Sequence, residues 1–304
     1  MTRLRALNDA MSDVLGLIRM QAESVALIKL RDRFGLRIDE PGGHFYIVEH
    51  GRARLQSGRR RPLELRAGDL AILPTSRPHV LSNGGRVTPI PIRLYLKESG
   101  SLEAKTSILW GQFSFAGVLA PKLLASLPPL IHVQGRTGAA QEWLKITSGF
   151  LVDETRFPKP GSAIMVSRLM ELLFIQSIRD WGAGSRKNMG WLAGVADPCV
   201  GRALSALHER PAEQWTVAAL AKHVGLSRSA FASRFNERVG VSPLRYLSLW
   251  RLNLAAEALR AGTANLSAIA ALVGYGSEAA LSRAFKAAFG ATPSRYRRAP
   301  VVTA

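Results

Sequence analysis

One pattern is written twice in the last third of the chain, and this duplication limits the possible architectures more than any other feature. The first copy, residues 216–246, reads TVAALAKHVGLSRSAFASRFNERVGVSPLRY. The second copy, residues 265–296, reads NLSAIAALVGYGSEAALSRAFKAAFGATPSRY. Apolar, glycine and proline positions recur at a spacing of 49 residues in the first part of the pattern and 50 in the second. The extra residue is expected in a turn, because a loop can absorb it. An internal repeat of this kind sets the architecture.

Each copy predicts a helix, a tight turn and a second helix. Thr216 and Asn265 are suitable N-caps, and apolar residues follow them at helical spacing. Gly225 stands where a left-handed turn residue is needed, and Gly274 occupies the same place in the second copy. A helix-turn-helix lays its second helix in the major groove of DNA. The two copies, with matched caps and turn glycines, therefore predict two DNA-reading helices.

The repeated stretch resembles the DNA-binding domain of the AraC/XylS family of bacterial transcription regulators. The resemblance covers about residues 198–298 and rests on AALAKHVGLSRSAF, GVSPLRYLSLWRL and IAALVGYGSEAALSRAFKAAFGATPSRYR. It implies two helix-turn-helix units, about 216–239 and 265–289, held by a connecting helix over about 243–260. At 1.5 Å per residue this helix is roughly 26 Å long. We expect Arg251, on the connecting helix, to form an ion pair within the domain.

The outward face of the second helix in each copy holds the predicted DNA contacts. In the first copy these are Arg228, Ser229, Ala232, Ser233, Arg234 and Asn236, and in the second they are Glu278, Ala279, Ser282 and Arg283. The family resemblance implies that the small residues at 229, 232 and 233 approach base edges, so direct readout by the first copy is expected to be modest. Arg228 and Arg234 are expected to contact phosphates.

Arg283 is the best candidate for reading a base, because arginine binds guanine through two hydrogen bonds. Glu278 is placed to accept a hydrogen bond from a cytosine amine or to orient an arginine. The alternative for any single arginine on these faces is a solvated charge without a specific role.

Charge agrees with a polyanionic partner but does not identify one. The chain carries 41 basic and 22 acidic residues, a formal net charge of +19. Such an excess favours nucleic acid through counterion release. Solubility or an anionic membrane surface would explain the charge as well, so the DNA prediction rests on the repeat.

The remaining composition predicts a cytoplasmic protein. The chain has no apolar run of about 18 residues, so a membrane span is not expected. The first 20 residues, MTRLRALNDAMSDVLGLIRM, predict an amphipathic helix over about 5–20 and not a signal peptide. A single cysteine, Cys199, excludes an intramolecular disulfide framework and a cysteine-based zinc cluster. Whether Cys199 is a packed residue or a redox sensor is left open.

Short strands are predicted in the first half of the chain. The candidate runs between residues 44 and 96 are HFYIVEHG, RARLQSG, PLELRAG, LAILP and PIRLYL. Closely spaced short strands are typical of a small barrel or sandwich. The segment 68–83, GDLAILPTSRPHVLSN, resembles the second cupin motif. The first cupin motif is degenerate, since Gly51 and His44 fit it but its other ligand positions do not. Together with the C-terminal resemblance, this half is similar to the cupin-type sensor domain of an AraC-family regulator.

His44 and His79 are the candidate site residues of this domain, with three interpretations. They are paired inside or at the mouth of the barrel, they line a small-molecule effector pocket, or they belong to a metal site. A protein metal site usually requires three or more ligands. We therefore predict no metal, no other cofactor and no enzymatic activity, and we name the two histidines as the residues of a candidate effector pocket.

Residues 162–181 predict the best helix of the first half. Met165, Leu169 and Leu172 share one face, and further apolar residues widen the surface. This helix is expected to pack on the barrel or to form a dimer seam, because AraC-type sensor domains often pair through helices in this position. The glycine-rich, charged stretch that follows, 181–190, predicts a linker.

The predicted fold class is α+β and multidomain, with an N-terminal cupin-like β-barrel, flanking helices and a C-terminal all-α double helix-turn-helix domain. The predicted domains are a sensor and dimerisation domain at 1–181, a linker at 182–197 and a DNA-binding domain at 198–304. The predicted function is sequence-specific transcription regulation. In the family that the chain resembles, activation is more common than repression. The predicted partners are double-stranded promoter DNA, a small-molecule effector and, by resemblance, RNA polymerase, and a homodimer is left open.

Two other functions compete with this interpretation. One is a cupin metalloenzyme with an appended DNA-binding domain, which would need ligands beyond the two histidines. The other is a constitutive DNA-binding protein whose cupin half only dimerises.

Overall fold

The computed structural model describes most of the chain and divides it into two compact units. The described residues are 10–17, 19–58, 61–75, 77–84, 87–98, 104–116, 124, 127–135, 139–184, 191–262 and 264–298. Of the described residues, the β-rich unit contains those within 20–115 and 127–184, and the helical unit contains α1 (Ala10–Leu17) and those within 191–298. Residues 185–190 of the predicted linker and 5–9 of the predicted first helix lie outside the described residues.

The β-rich unit begins with strands that form two sheets and ends with a pair of helices. Its strands are β1 (Arg19–Leu30), β2 (Gly35–Ile38), β3 (Gly43–His50), β4 (Arg52–Ser57), β5 (Leu63–Arg66), β6 (Leu70–Leu73), β7 (His79–Ser82), β8 (Ile90–Pro91), β9 (Thr106–Ala116) and β10 (Ile131–Val133). Its helices are α2 (Ile92–Glu98), α3 (Ala139–Arg156) and α4 (Ser162–Gly184). One sheet has the order β1-β9-β3-β6-β10, and the other has the order β5-β4-β7-β2-β8.

The core of this unit lies between the two sheets. Tyr46 on β3 and Trp110 on β9 come from one sheet, while Leu36 on β2 and Leu81 on β7 come from the other, and all four are buried in one cluster. Alternation along a strand gives each sheet one apolar face, and two such faces must bury each other. The predicted α+β class with an N-terminal cupin domain is confirmed. The strands form two five-stranded sheets and not a closed barrel.

The prediction of a strand at PIRLYL is wrong, since most of this segment forms α2. The parallel pairing of β8 with β2 ends at Pro91. Proline has no N–H to give to a strand ladder, but it is accepted just before a helix. Ile92 is fully buried, and Tyr95 and Leu96 pack partly against the same core. Their spacing of three and four residues is that of a helix face.

The helix predicted over 162–181 is confirmed as α4. Its buried face, however, is formed by Met170, Leu173, Phe174 and Ile178. The predicted face is therefore rotated, because Met165 and Leu172 are 48% and 51% exposed.

The helical unit consists of short helices around two separate cores. The helices are α5 (Trp191–Ala196), α6 (Pro198–Glu209), α7 (Val217–Val224), α8 (Arg228–Val239), α9 (Pro243–Ala261), α10 (Leu266–Leu272), α11 (Glu278–Phe289) and α12 (Pro293–Arg298). The first core joins α6, α7, α8 and the start of α9 at Leu247. The second core joins the rest of α9, from Leu252, to α10, α11 and α12. α9 is thus the connecting helix, and it belongs to both cores.

The N-terminal helix α1 packs within the helical unit, although the sequence placed it with the sensor domain. Ala10 is buried in the first helical core. The Asp13 carboxylate lies 3.1 Å from Nδ1 of His208, and Nε2 of His208 lies 2.8 Å from the Tyr246 hydroxyl. His208 also stacks on Trp250, with ring centroids 3.7 Å apart. Within the described part of the chain, no helix combines the length and apolar character that crossing a bilayer requires.

Candidate nucleic-acid interface

The first helix-turn-helix is formed by α7 and α8, and local chemistry sets both ends of the turn. The Thr216 hydroxyl accepts a hydrogen bond from the Ala219 N–H at 3.0 Å, which caps α7. Gly225 ends that helix at a φ of 76°, a left-handed conformation that glycine adopts without strain. The Ser227 hydroxyl then caps α8 by accepting from the Ala230 N–H at 3.3 Å.

Two phenylalanines fix which face of α8 is presented to solvent. Phe231 and Phe235 are fully buried, with ring centroids 5.6 Å apart. The predicted contact residues of the first copy differ in how far they are exposed around this buried face. Arg228, Ser229, Ser233 and Asn236 are exposed, and Ala232 and Arg234 are half-buried.

The second helix-turn-helix, formed by α10 and α11, repeats this construction. The Asn265 side chain accepts from the Ala268 N–H at 2.8 Å, and the Ser277 hydroxyl accepts from the Ala280 N–H at 3.1 Å. Gly274, in the turn, has a φ of 80°. Leu281 and Phe285 are fully buried and set the outward face of α11. On that face Glu278, Ala279 and Arg283 are exposed, and Ser282 is half-buried.

The predicted arginines differ in what they contact. Within the described residues, neither Arg228 nor Arg283 has a hydrogen bond or an ion pair, so both guanidinium groups extend into solvent. Arg234 instead donates from Nε to the Asp197 carboxylate at 2.8 Å. Arg238 lies 3.6 Å from the same carboxylate oxygen. Arg234 therefore has a partner inside the domain, whereas the sequence predicted only a phosphate contact for it.

Asp197 connects the start of α6 to α8. Its carboxylate accepts hydrogen bonds from the backbone N–H groups of Cys199 and Val200, at 3.0 and 3.1 Å, and so caps α6. Burial acts to raise the pKa of Asp197, but the hydrogen bonds from Val200, Arg234 and Cys199 outweigh burial and lower it. Sequence reasoning placed Asp197 in the linker and missed this role. The signal available was an aspartate followed by Pro198, since proline favours the first helical position.

The β-rich unit brings the two predicted histidines together. His44 lies on β3 and His79 lies on β7, and each of these strands is the central one of its five-stranded sheet. Both side chains enter the core between the sheets, where they are 0% and 3% exposed. Their ring centroids are 5.3 Å apart.

Hydrogen bonds assign the protons of both histidines. Nδ1 of His79 lies 2.6 Å from the Arg77 carbonyl, which only accepts, so Nδ1 carries the proton and Nε2 accepts from the Tyr46 hydroxyl at 2.5 Å. Nε2 of His44 likewise donates to the Glu40 carbonyl at 3.1 Å. Nδ1 of His44 is then an acceptor, and within the described residues it is buried without a hydrogen-bond partner.

Burial keeps both rings neutral. It lowers the pKa of His79 to about 4, and it lowers the pKa of His44 as well. Among the residues that the structure describes, no three His, Cys, Asp or Glu side chains are grouped so as to hold a metal ion.

Comparisons with known proteins agree with this division of the chain. The family described as Cupin matches residues 9–183, and the family described as Helix-turn-helix domain matches residues 220–299. A protein of Streptomyces lividans, named as an AraC-like transcription regulator, is 35% identical over 97% of this chain and 99% of its own length. A protein of the same name from Streptomyces antibioticus is 36% identical over 96% of this chain and 99% of its own.

A third relative extends the similarity to another genus. The HTH-type transcriptional regulator AlkR of Acinetobacter baylyi is 30% identical over 95% of this chain and 99% of its own length. The chain therefore belongs to the AraC family of DNA-binding transcription regulators, with an N-terminal cupin domain and a C-terminal helix-turn-helix domain.

Proposed function

We propose that this chain is a cytoplasmic regulator that binds double-stranded promoter DNA through the outward faces of α8 and α11. One observation carries the proposal: both helices bury equivalent apolar residues and present small, polar and basic side chains on the opposite face. The connecting helix α9 has 19 residues, which at 1.5 Å per residue is roughly 28 Å. This length suits two readers in successive segments of the major groove, which recurs about every 34 Å.

Within this interface we assign three kinds of contact. Arg283, in the second turn of α11, reads a base, and Glu278, in the first turn, accepts a hydrogen bond from a base amine. Arg228, in the first turn of α8, contacts a phosphate near the helix N-terminus, where backbone N–H groups also favour an anion. Arg234 orients α8 through Asp197, and this role replaces the phosphate contact expected from the sequence.

The test of the proposed function is selection of duplexes from a random library by the full-length protein, followed by footprinting across a bacterial genome. We expect enrichment of a sequence with two elements about one helical turn apart. The proposal fails if no duplex is enriched over random competitor at moderate ionic strength.

Arg283→Ala is expected to weaken binding to the selected duplex by about 1–3 kcal/mol, or roughly 5- to 150-fold. The reason is loss of a bidentate contact to one base, so discrimination at that base pair should relax while discrimination at the others stays. Competition titrations with single-base variants of the selected duplex measure both effects.

Arg228→Ala is the matched control, because Arg228 is also exposed and also lies on a reading helix. Its loss should weaken all duplexes alike and reduce the slope of log affinity against log salt by about one unit. Equal loss of base discrimination in both variants would contradict the assigned roles.

We further propose that the cupin domain responds to a small molecule in the region of His44 and His79. Support comes from the buried acceptor Nδ1 of His44, since a buried polar atom without a partner costs free energy that a ligand donor group would recover. A bound ligand that prefers one arrangement of the chain would shift promoter occupancy or contact with RNA polymerase. The RNA polymerase contact rests on the family resemblance alone.

Two measurements separate this proposal from its competitors. A thermal-shift screen of metabolites, repeated with His44→Phe, distinguishes a sensor from a constitutive DNA-binding protein, because only a sensor has a hit that the variant loses. Metal analysis of the purified chain distinguishes a regulator from a metalloenzyme. Stoichiometric iron or zinc would favour the enzyme.

We also propose that the cupin domain forms a homodimer through the pair of helices α3 and α4. Ten large apolar residues are substantially exposed in the described part of the chain, and six of them lie on or beside these two helices. They are Ile146, Phe150, Phe157, Ile164, Met165 and Leu172, and their exposed fractions run from 48% to 71%. A concentration of exposed apolar side chains of this kind marks an interaction surface.

Phe150→Asp is expected to raise the dimer dissociation constant by at least about tenfold, since it places a charge in an apolar interface. Sedimentation equilibrium measures this constant. Leu94→Asp is the matched control, because Leu94 lies on α2 and is 52% exposed, close to the 56% of Phe150. Identical sedimentation of the two variants would argue against this surface.

A further inference from the structure

The loop between α6 and α7 contacts parts of the helical domain that are distant from it in sequence. This loop, residues 210–215, is called the brace loop below. It leads into the first helix-turn-helix, yet it is hydrogen-bonded to the connecting helix α9 and to the turn of the second helix-turn-helix. It therefore links the first helix-turn-helix, into which it leads, to the connecting helix and to the turn of the second unit.

Arg251 makes the contact from α9. Its Nε donates to the Pro211 carbonyl at 2.6 Å, and its Nη2 donates to the Glu213 carbonyl at 2.8 Å. The ion pair expected for Arg251 is thus replaced by two bonds to backbone carbonyls. Because a guanidinium is planar and rigid, two donors on one group fix both the position and the direction of the loop.

Gly274 makes the contact from the second helix-turn-helix. The Gln214 side-chain amide donates to the Gly274 carbonyl at 3.4 Å. A Cβ at position 274 would lie 2.6 Å from Cα of Ala212 and 2.9 Å from Nη2 of Arg251. The turn is therefore seated directly on the brace loop and on the arginine that holds it.

The two turn glycines of the repeat differ in this respect. Gly225 has nearly the same φ, 76° against 80°, but a Cβ at 225 would meet nothing within 4 Å. Conformation alone explains glycine at 225, whereas position 274 also requires room for the brace loop. The second copy is thus adapted to a contact that the first copy does not make.

Without the brace loop, the two reading helices would be held together mainly by one helix. The first core reaches α9 at Leu247 and the second begins at Leu252, so the two cores meet α9 at different points. Each reading helix would then be positioned only by the packing of its own core on α9.

We propose that the brace loop fixes the spacing and rotational phase of α8 and α11, with Arg251 as its positioning residue. The inference rests on the proposed function, in which both helices read one duplex. One inserted base pair moves the second element by about 3.4 Å and rotates it by about 34°. A rigid pair of readers cannot follow that change, and a pair released from the brace loop can.

The first test needs no DNA and uses the full chain. Spin labels are attached at Glu237→Cys on α8 and Ala287→Cys on α11, with Cys199→Ser to remove the native thiol; positions 237 and 287 are both exposed. Double electron–electron resonance should give one narrow distance distribution. Arg251→Ala and Gly274→Ala should broaden it, and Gly225→Ala, with the same φ cost, should not. An unchanged distribution in Arg251→Ala overturns the proposal.

The second test uses the duplex that the wild-type protein selects, with zero, one or two base pairs inserted between its two elements. We expect about a tenfold loss of wild-type affinity for the first insertion and less than about threefold in Arg251→Ala. A loss of folding would instead weaken binding to every spacing equally. Gln214→Ala, which removes one exposed hydrogen bond, is the milder variant if Arg251→Ala unfolds.

The two tests separate the failure of this inference from failure of the proposed function. Absence of selective binding by the wild-type protein would overturn the proposed function, while the distance measurement would still decide whether the brace loop holds the helices. Selective binding with the same spacing penalty in wild type and Arg251→Ala would overturn the role of the brace loop alone.

Discussion

Asp197→Ala is expected to lower the free energy of unfolding of the helical domain by at least about 1 kcal/mol. Loss of the N-cap of α6 contributes about 1 kcal/mol. The variant also loses the charged hydrogen bond between the carboxylate and Arg234, whose contribution to stability is small because the arginine side chain is 41% exposed to solvent. The orientation of α8 depends on the same carboxylate, so affinity for DNA should fall as well.

Native-state hydrogen exchange of peptides from α6 and α8 measures this loss directly, because it reports the opening free energy of each helix. Asp197→Asn is the control, since asparagine caps a helix nearly as well as aspartate but carries no charge. We expect Asp197→Asn to keep the protection of α6 and to lose protection in α8. Equal protection of α8 in wild type and both variants would show that the link between the two helices is unimportant.

The helix-turn-helix units could be predicted from the sequence because their signals are local. Thr216 and Asn265 each accept a hydrogen bond from an N–H three residues ahead, and Gly225 and Gly274 each adopt a left-handed conformation. These interactions span at most a few residues, so residue type and spacing are enough to place them.

Contacts between distant segments could not be predicted in the same way. Asp197 and Arg234 are 37 residues apart, and Arg251 and Pro211 are 40 apart. Many arginines in this basic chain would serve equally well on charge alone. Only the packing of α6, α8 and α9 selects which of them meet a carboxylate, a carbonyl or solvent.

The helix α3 was not predicted because polar and apolar residues are mixed on both of its sides. Its buried face includes Thr147 and Ser148, whose hydroxyls bond to carbonyls of the preceding turn, while Ile146 and Phe150 are more than half exposed. Periodicity finds a helix by its apolar stripe, and here apolar residues occupy both sides. The exposed apolar side chains on α3 are what support it as a surface for another subunit in the proposed dimer.

Lowering the pH from 7 to 4 is expected to destabilise the cupin domain by about 3 kcal/mol through His79 alone. Burial lowers the pKa of His79 from 6.5 to about 4. Because the folded pKa lies below the unfolded one, the unfolded state binds the extra proton between these values. The stabilising contribution is therefore complete above pH 6.5 and is lost as the pH falls toward 4, at up to about 1.4 kcal/mol per pH unit.

Urea denaturation at several pH values between 4 and 7 measures this dependence, with β3 and β7 followed by hydrogen exchange. His79→Gln is the control, because glutamine is polar and neutral throughout this range. This variant should be less stable than wild type at pH 7, since it loses the two hydrogen bonds that the imidazole makes with the Tyr46 hydroxyl and the Arg77 carbonyl. Its stability should nevertheless depend less steeply on pH.

The pH dependence of stability that remains in His79→Gln reports on His44. Burial also lowers the pKa of His44, so its contribution to stability has the same sign and begins to be lost as the pH falls below 6.5. The double variant His44→Phe, His79→Gln should then be flatter still. If His79→Gln kept the full wild-type dependence of stability on pH, the protons would be taken up by other groups. The proposed effector site, which depends on a neutral, buried pair of histidines, would then lose its support.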